Sequence, residues 1–304
     1  MTYTKDPPHV SVIIPTYNRA SMLGRAIQSV LDQTYRDFEL IVVDDCSSDD
    51  TQEVTKGFAD DRIRYIKHPT NRGGSAARNT GIRSSRGDYI GLLDDDDEWL
   101  PNKLELQVDL LDRLPEDYGV VYSGYRSEQS GKILGEYSPI HRGDVYHQML
   151  KSCFIGSPTI LIRKICFDNA GRFDEALPSC QDWDMWIRLA KHYKFDFLPE
   201  VLAVYNIHGD QIKFNLLKYV CGVNEVLAKH GEDISKNKKI LSYQYRYLAI
   251  LYYAVGDKAE GTKFMLKSIK LNPLQNGIVH ISAALIAPRF YKMLIIKALI
   301  RSKG

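Results

Sequence analysis

The chain of 304 residues is 44% hydrophobic with a formal net charge of +2, so it can bury the core of one large domain plus a smaller one, and its charge gives no sign of a nucleic-acid partner. Five cysteines, Cys46, Cys153, Cys166, Cys180 and Cys221, are odd in number and form no C-x-x-C pair, which argues against a disulfide framework or a zinc site and for a reducing, cytoplasmic setting. The charge is uneven: residues 1–210 carry 24 Lys+Arg against 33 Asp+Glu, and residues 211–304 carry 16 against 5.

The first eight residues hold no apolar signal region. Residues 10–14 read as a continuous buried strand, and the segment after it places Leu23, Ala26, Ile27, Val30 and Leu31 on one helical face. Strands follow at 38–43, 62–66 and 89–93, with a helix at 74–83. This alternation predicts an α/β fold with a mainly parallel sheet. In such sheets ligands sit beyond the carboxyl ends of the strands. Tyr17-Asn18, Asp44-Asp45 and the run Asp94-Asp95-Asp96-Asp97 each lie just past such an end, so three polar clusters are expected to converge on one crevice.

Four adjacent carboxylates repel one another, and at the end of a buried strand they call for a cation. Oxygen-only ligands favour Mg²⁺ or Mn²⁺, whose open positions a nucleotide's phosphates can fill. A solvated acidic turn is the plain alternative. An EF-hand loop fails because Trp99 stands where the sharp turn needs glycine, and a P-loop fails because no G-x-x-x-x-G-K-[ST] exists.

Beyond residue 119 the pattern loosens, with strands expected at 119–123, 159–163 and 201–207 and a helix after Asp182 that buries Trp183, Trp186, Ile187 and Ala190. Between Gly124 and Ser157 we find no chemical signature. From about 215 the chain reads as helical, which sets domains at 1–214 and 215–304. Residues 245–273 look like a single tetratricopeptide-type hairpin, too little for a solenoid, and the favoured reading is a C-terminal helical extension that packs on the α/β domain or on a partner subunit. The apolar stretch 278–300 is interrupted by His280, Pro288, Arg289, Lys292 and Lys297, so it is expected to pack or to lie at an interface rather than to span a membrane. Its basic composition suits peripheral contact with an anionic membrane face or with a protein.

Taken together, Val10 to Arg19, Ala26 to Tyr35, Glu39 to Thr51, Asn71 to Ile82 and the aspartate run resemble, in order and over roughly residues 9–210, the family 2 glycosyltransferases of GT-A fold. The resemblance implies inverting transfer of a sugar from a nucleotide diphosphate donor, read as a UDP-sugar with a dTDP- or GDP-sugar as the nearest alternative, with Mn²⁺ or Mg²⁺ as cofactor. The acceptor implied is a glycan or a lipid-linked hydroxyl in cell-surface polysaccharide synthesis, at the cytoplasmic or inner membrane face. It puts Pro15, Tyr17 and Asp45 at the nucleoside, where an aromatic ring stacks on a base and a carboxylate accepts a ring N–H. Asp94 or Asp95 then faces the ribose, Asp96 and His208 face the metal, with the register of the metal aspartate within Asp94 to Asp97 open by one residue, and Arg78 neutralises nucleotide or carboxylate charge. Asp182, in Gln181-Asp182-Trp183-Asp184, maps onto the base that deprotonates the acceptor; Gln181 stands where glutamate is more usual. The alternative from another class is a catalytically silent nucleotide-sugar binder whose helical tail recruits a partner.

Overall fold

The computed structural model describes residues 7–208, 215–273 and His280. Elements follow in the order β1 Val10–Thr16, α1 Ala20–Leu31, β2 Phe38–Asp44, α2 Thr51–Gly57, β3 Ile63–Lys67, α3 Gly74–Ser84, β4 Tyr89–Leu92, β5 Glu98–Trp99 and α4 Lys103–Arg113. Then come β6 Tyr118–Gln129, β7 Lys132–Tyr137, α5 Tyr146–Lys151, β8 Leu161–Arg163, α6 Cys166–Ala170, α7 Gln181–His192 and β9 Lys194–Asn206. Helices α8 Leu216–Lys229, α9 Gly231–Ser235, α10 Lys238–Val255 and α11 Lys258–Leu271 complete the described chain.

The chain divides into two compact units. Of the described residues, the first holds 7–145, 154–175 and 185–207; the second holds 146–153, 176–184, 208, 215–273 and 280. Where the sequence alone suggests a boundary near 214, the second unit thus also takes in two earlier segments.

All nine strands described belong to the first unit and form one mixed sheet in the order β3-β2-β1-β4-β8-β6-β9-β5, with β7 paired to β6. Strands β1 and β2 are buried along all seven residues, as strands covered on both faces must be, which is why both read as unbroken apolar runs. β1 pairs in parallel with β2 and with β4, so the carboxyl ends of these three neighbours lie side by side. Helix α1 turns Leu23, Ala26, Ile27 and Val30 into the core at helical spacing. Helix α3 approaches β1 so closely that a Cβ on Gly81 would stand 2.4 Å from Ile13 Cγ2, a contact that only glycine permits.

The second half of the sheet departs from the sequence expectation. β6 and β7 form a hairpin through Ser130 and Gly131, both at positive φ (50° and 77°), the backbone of a two-residue primed turn. β9 begins at Lys194, earlier than the periodicity suggests, because its pairing with β6 skips Pro199 and Glu200. A bulge there accommodates a proline that could not donate to the ladder.

In the second unit, α10 and α11 form the expected hairpin. Gly256 closes α10 at φ 96°, and the Asp257 side chain accepts the Glu260 N–H to start α11. Ala249, Tyr253, Ala254 and Met265 are its buried core. Among the described residues no helix is long and apolar enough to cross a membrane. The basic segment 281–304 lies outside the described residues.

Candidate functional site

The loops after β1, β2 and β3 are laced together by side chains that satisfy one another's backbone. Asn18, at φ 51°, accepts the Ser48 N–H on its Oδ1 (2.8 Å) and donates its own N–H to Ser47 Oγ (2.9 Å). Asp49 Oδ2 accepts the Ala20 N–H at 2.9 Å, serving one of the orphan donors at the start of α1. Tyr17 projects from this loop with 46% of its surface exposed, whereas Pro15 is buried within β1.

Asp44 and Asp45 have separate tasks. Asp44 is fully buried, holds the Ser47 N–H at 2.7 Å and accepts the Tyr65 hydroxyl, whose own titration is pushed up by burial and by that carboxylate. Asp45 takes the Arg72 N–H on both oxygens (2.9 and 3.1 Å) and the Gly73 N–H at 2.6 Å. His68 Nδ1 lies 2.7 Å from Asp45 Oδ1, and its Nε2 lies 2.9 Å from Thr80 Oγ1. A carboxylate only accepts, so Nδ1 is the donor there. Asp45 therefore sets the shape of the turn at Gly73, whose φ of 89° suits glycine alone, and so the start of α3.

Past β4 the four aspartates diverge. Arg78 Nη2, from α3, donates to Asp94 Oδ1 at 2.5 Å. Arg19 Nη1 donates to Asp95 Oδ1 at 2.9 Å and to Asp96 Oδ2 at 3.1 Å. Asp97 turns away: its Oδ1 accepts the Asn206 N–H of β9 at 2.9 Å, while its buried Oδ2 has no hydrogen-bond partner. Burial pushes the Asp95 carboxyl up to about 6, opposed by Arg19 and reinforced by Asp96. Burial, with Asp96 and Asp94, also drives Asp97 well above the usual carboxylate range. Such crowding stays ionised only beside positive charge. No three His, Cys, Asp or Glu side chains among the described residues converge into a ready metal cage. Yet one guanidinium nitrogen already bridges Asp95 and Asp96, so these oxygens accept a shared cation, and the donor set fits a hard divalent ion completed by other oxygens.

Asp182 and His208 belong to the second unit. Asp182 stands in the first turn of α7, and that turn begins with the Asp184 N–H bonded to the Cys180 carbonyl at 3.1 Å. His208 follows β9 by two residues.

A sequence profile described as Glycosyl transferase family 2 matches residues 11–166. The chain belongs to glycosyltransferase family 2. It is 32% identical, over 79% of its own length and 92% of the relative's, to the UDP-Glc:alpha-D-GlcNAc-diphosphoundecaprenol beta-1,3-glucosyltransferase WfgD of Escherichia coli. It spans only between 32% and 75% of the length of five rickettsial glycosyltransferases, themselves uncharacterized, to which it is 34–36% identical. Its fold matches the crystal structure of S. aureus TarS in complex with UDP-GlcNAc (TM-score 0.65, 16% identity, 97% of this chain and 92% of that one). It also matches the mannosyltransferase PcManGT from Pyrobaculum calidifontis in complex with GDP-Man and Mn²⁺ (TM-score 0.62, 17% identity, 97% and 87%). These likenesses establish the GT-A fold.

For a family 2 chain, two residues gain importance that the sequence pattern leaves aside. His68 has no context in the sequence because its partners, Asp45 and Thr80, come from two other elements. Arg19 follows Tyr17-Asn18 directly, and only the pairing of β1 with β4 brings it to the aspartates. Removing the bridging cation leaves two buried carboxylates facing each other, at a cost of about 2 kcal/mol. Arg19→Met is therefore expected to lower the melting temperature in EDTA, and added Mn²⁺ should raise it more than in the wild type. A Mn²⁺ shift no larger than the wild type's would show that metal and guanidinium do not share these oxygens.

Proposed function

We propose that this chain is an inverting glycosyltransferase that moves a sugar from a UDP-sugar to a hydroxyl of a lipid-linked glycan acceptor. The observation that carries the reading is the set of three carboxylates, Asp94, Asp95 and Asp96, met by Arg78 and Arg19 beyond the carboxyl ends of adjacent parallel strands. That is where an α/β sheet binds its ligands. The E. coli relative, named for a UDP-glucose donor and a diphosphoundecaprenol-linked acceptor, supports the choice of substrates. The neighbours crystallised with UDP-GlcNAc and with GDP-Man and Mn²⁺ support a nucleotide-sugar and a divalent metal.

Each residue has a task within this reading. Exposed Tyr17 offers a ring face to the base at the end of β1, where Pro15 stiffens the strand. Asp45 acts at the base through the Arg72–Gly73 turn that its two oxygens hold. Asp94 and Asp95 face the ribose, with Arg78 balancing their charge. Asp96, joined by His208, would hold Mn²⁺ or Mg²⁺, and the bound ion would offset the charge that grows on the departing diphosphate. Asp182 takes the proton from the acceptor hydroxyl as it attacks the anomeric carbon. The basic balance of residues 211–304 suits an acceptor carrying a diphosphate at an anionic membrane face.

A panel of UDP-, GDP- and dTDP-sugars, each with Mn²⁺ and with EDTA, tests the reading by thermal shift, since a ligand bound only by the folded state raises the melting temperature. UDP-sugars with Mn²⁺ should give the largest shift, and UDP-glucose should then be transferred to a GlcNAc-diphosphate lipid. Metal-dependent stabilisation without transfer or donor hydrolysis would favour the silent binder instead.

A further inference from the structure

The helical second unit is built around the turn that carries Asp182. Three independent contacts fix residues 176–184 to it. The first is a close approach: a Cβ on Gly222 of α8 would lie 2.1 Å from Ser179 Oγ and 2.6 Å from the Ser179 carbonyl oxygen, so only glycine lets the helix come this near. One helical turn earlier, the Lys218 carbonyl accepts the Ser179 hydroxyl at 3.0 Å. The second contact is ionic. Asp184 has no exposed surface, and it is met by Lys229 Nζ at 3.1 Å and by His230 Nε2 at 2.9 Å, from the last turn and the cap of α8. A buried carboxylate must be paired, so the start of α7 cannot leave α8 cheaply. The acidic start of α7 and the basic end of α8 also suit the two helix dipoles. The third contact runs through Trp183, whose Nε1 donates to the Met149 carbonyl of α5 at 2.8 Å. α5 is itself held by Gln244 of α10, which donates to the Leu150 and Lys151 carbonyls at 2.6 and 3.0 Å.

The backbone between these anchors is under constraint. Cys180 sits at φ 60°, a left-handed conformation that a non-glycine residue adopts only when its surroundings impose it. Gln181 folds its amide back onto the Leu177 carbonyl at 3.0 Å. Asp182 thus sits between a forced turn at Cys180 and a locked ion pair at Asp184. None of this is legible locally, because Asp184 and His230 are 46 residues apart.

We infer that α8 and the α8–α9 junction are the positioning device for Asp182, with Gly222, Asp184, Lys229 and His230 as positioning residues. The inference rests on the reading of Asp182 as the base. General-base catalysis depends on holding the carboxylate within hydrogen-bond reach of the attacking hydroxyl, and a misplacement of about 1 Å can cost on the order of 10²-fold. These four residues should therefore govern kcat without governing donor affinity.

The test compares Gly222→Ala, His230→Leu and His230→Gln with Met265→Ala, a core change in the α10–α11 hairpin. Hydrogen exchange reports directly on the turn: amides of residues 180–184 should exchange faster in Gly222→Ala and His230→Leu, and at wild-type rates in Met265→Ala. With UDP-glucose and a GlcNAc-diphosphate lipid, the first two should lose ~10- to 100-fold in kcat while the affinity for UDP stays unchanged. Glutamine at 230 keeps a donor near the Nε2 position and should restore most of the rate. Protection of 180–184 equal to the wild type in both Gly222→Ala and His230→Leu would overturn the inference, as would an equal kcat loss in Met265→Ala. Should Gly222→Ala fail to fold, the His230 pair decides. A normal kcat in Asp182→Asn would instead overturn the reading of the base, leaving the exchange result to judge the positioning.

Discussion

Asp96→Asn is expected to abolish sugar transfer while leaving the folded protein intact. The amide keeps the shape of the carboxylate but removes the charge, and in the proposed site that charge holds the divalent ion. A metal's stabilisation of a departing diphosphate is worth several kcal/mol, so the rate should fall by roughly 10³-fold or more. Stability should move the other way. Asp96 helps to raise the carboxyls of Asp95 and Asp97, so removing its charge relieves repulsion among buried neighbours, and Arg19 keeps Asp95 as a partner. The melting temperature in EDTA should therefore be no lower than the wild type's, and the extra shift produced by UDP with Mn²⁺ should vanish. Transfer within about threefold of the wild type at saturating Mn²⁺ would sink the assignment.

The parallel half of the sheet is legible in the sequence because β1, β2 and β4 are covered on both faces, which demands continuous apolar runs, and because each run ends in polar residues where the sheet opens to its crevice. The other half is not. β5 has only two residues, β7 exposes Ile133 and Leu134, and β9 is interrupted by Pro199-Glu200, so none shows a clean period. Ser130-Gly131 is the one local signal for the β6–β7 hairpin, as a pair suited to positive φ between two extended runs. The aspartates are conspicuous as a run, but their division of labour is not. Asp97 differs from its neighbours only because Asn206, 109 residues later, donates to it. Arg19 and His68 are hidden for the same reason, and so is the composition of the second unit, where Gln244 reaches a carbonyl 94 residues away. Residues that act through such contacts leave no mark in a single sequence.

Asp182→Asn carries the second large effect, and it separates chemistry from binding. If Asp182 is the base, the asparagine cannot accept the acceptor's proton, and kcat should fall by about 10²- to 10⁴-fold, the usual range for general-base catalysis. UDP affinity should barely move, because the donor is assigned to Tyr17, Asp45 and the aspartate cluster. The fold should also persist: Asp184, not Asp182, makes the buried ion pair with Lys229 and His230, and the amide remains an acceptable residue near a helix start. Measured donor binding, melting temperature and single-turnover rate then give three independent readings. Wild-type binding and stability with a collapsed chemical step would identify the base. A large loss of UDP affinity would instead move Asp182 to the donor side of the reaction, and a lowered melting temperature would make it part of the scaffold that Asp184 anchors.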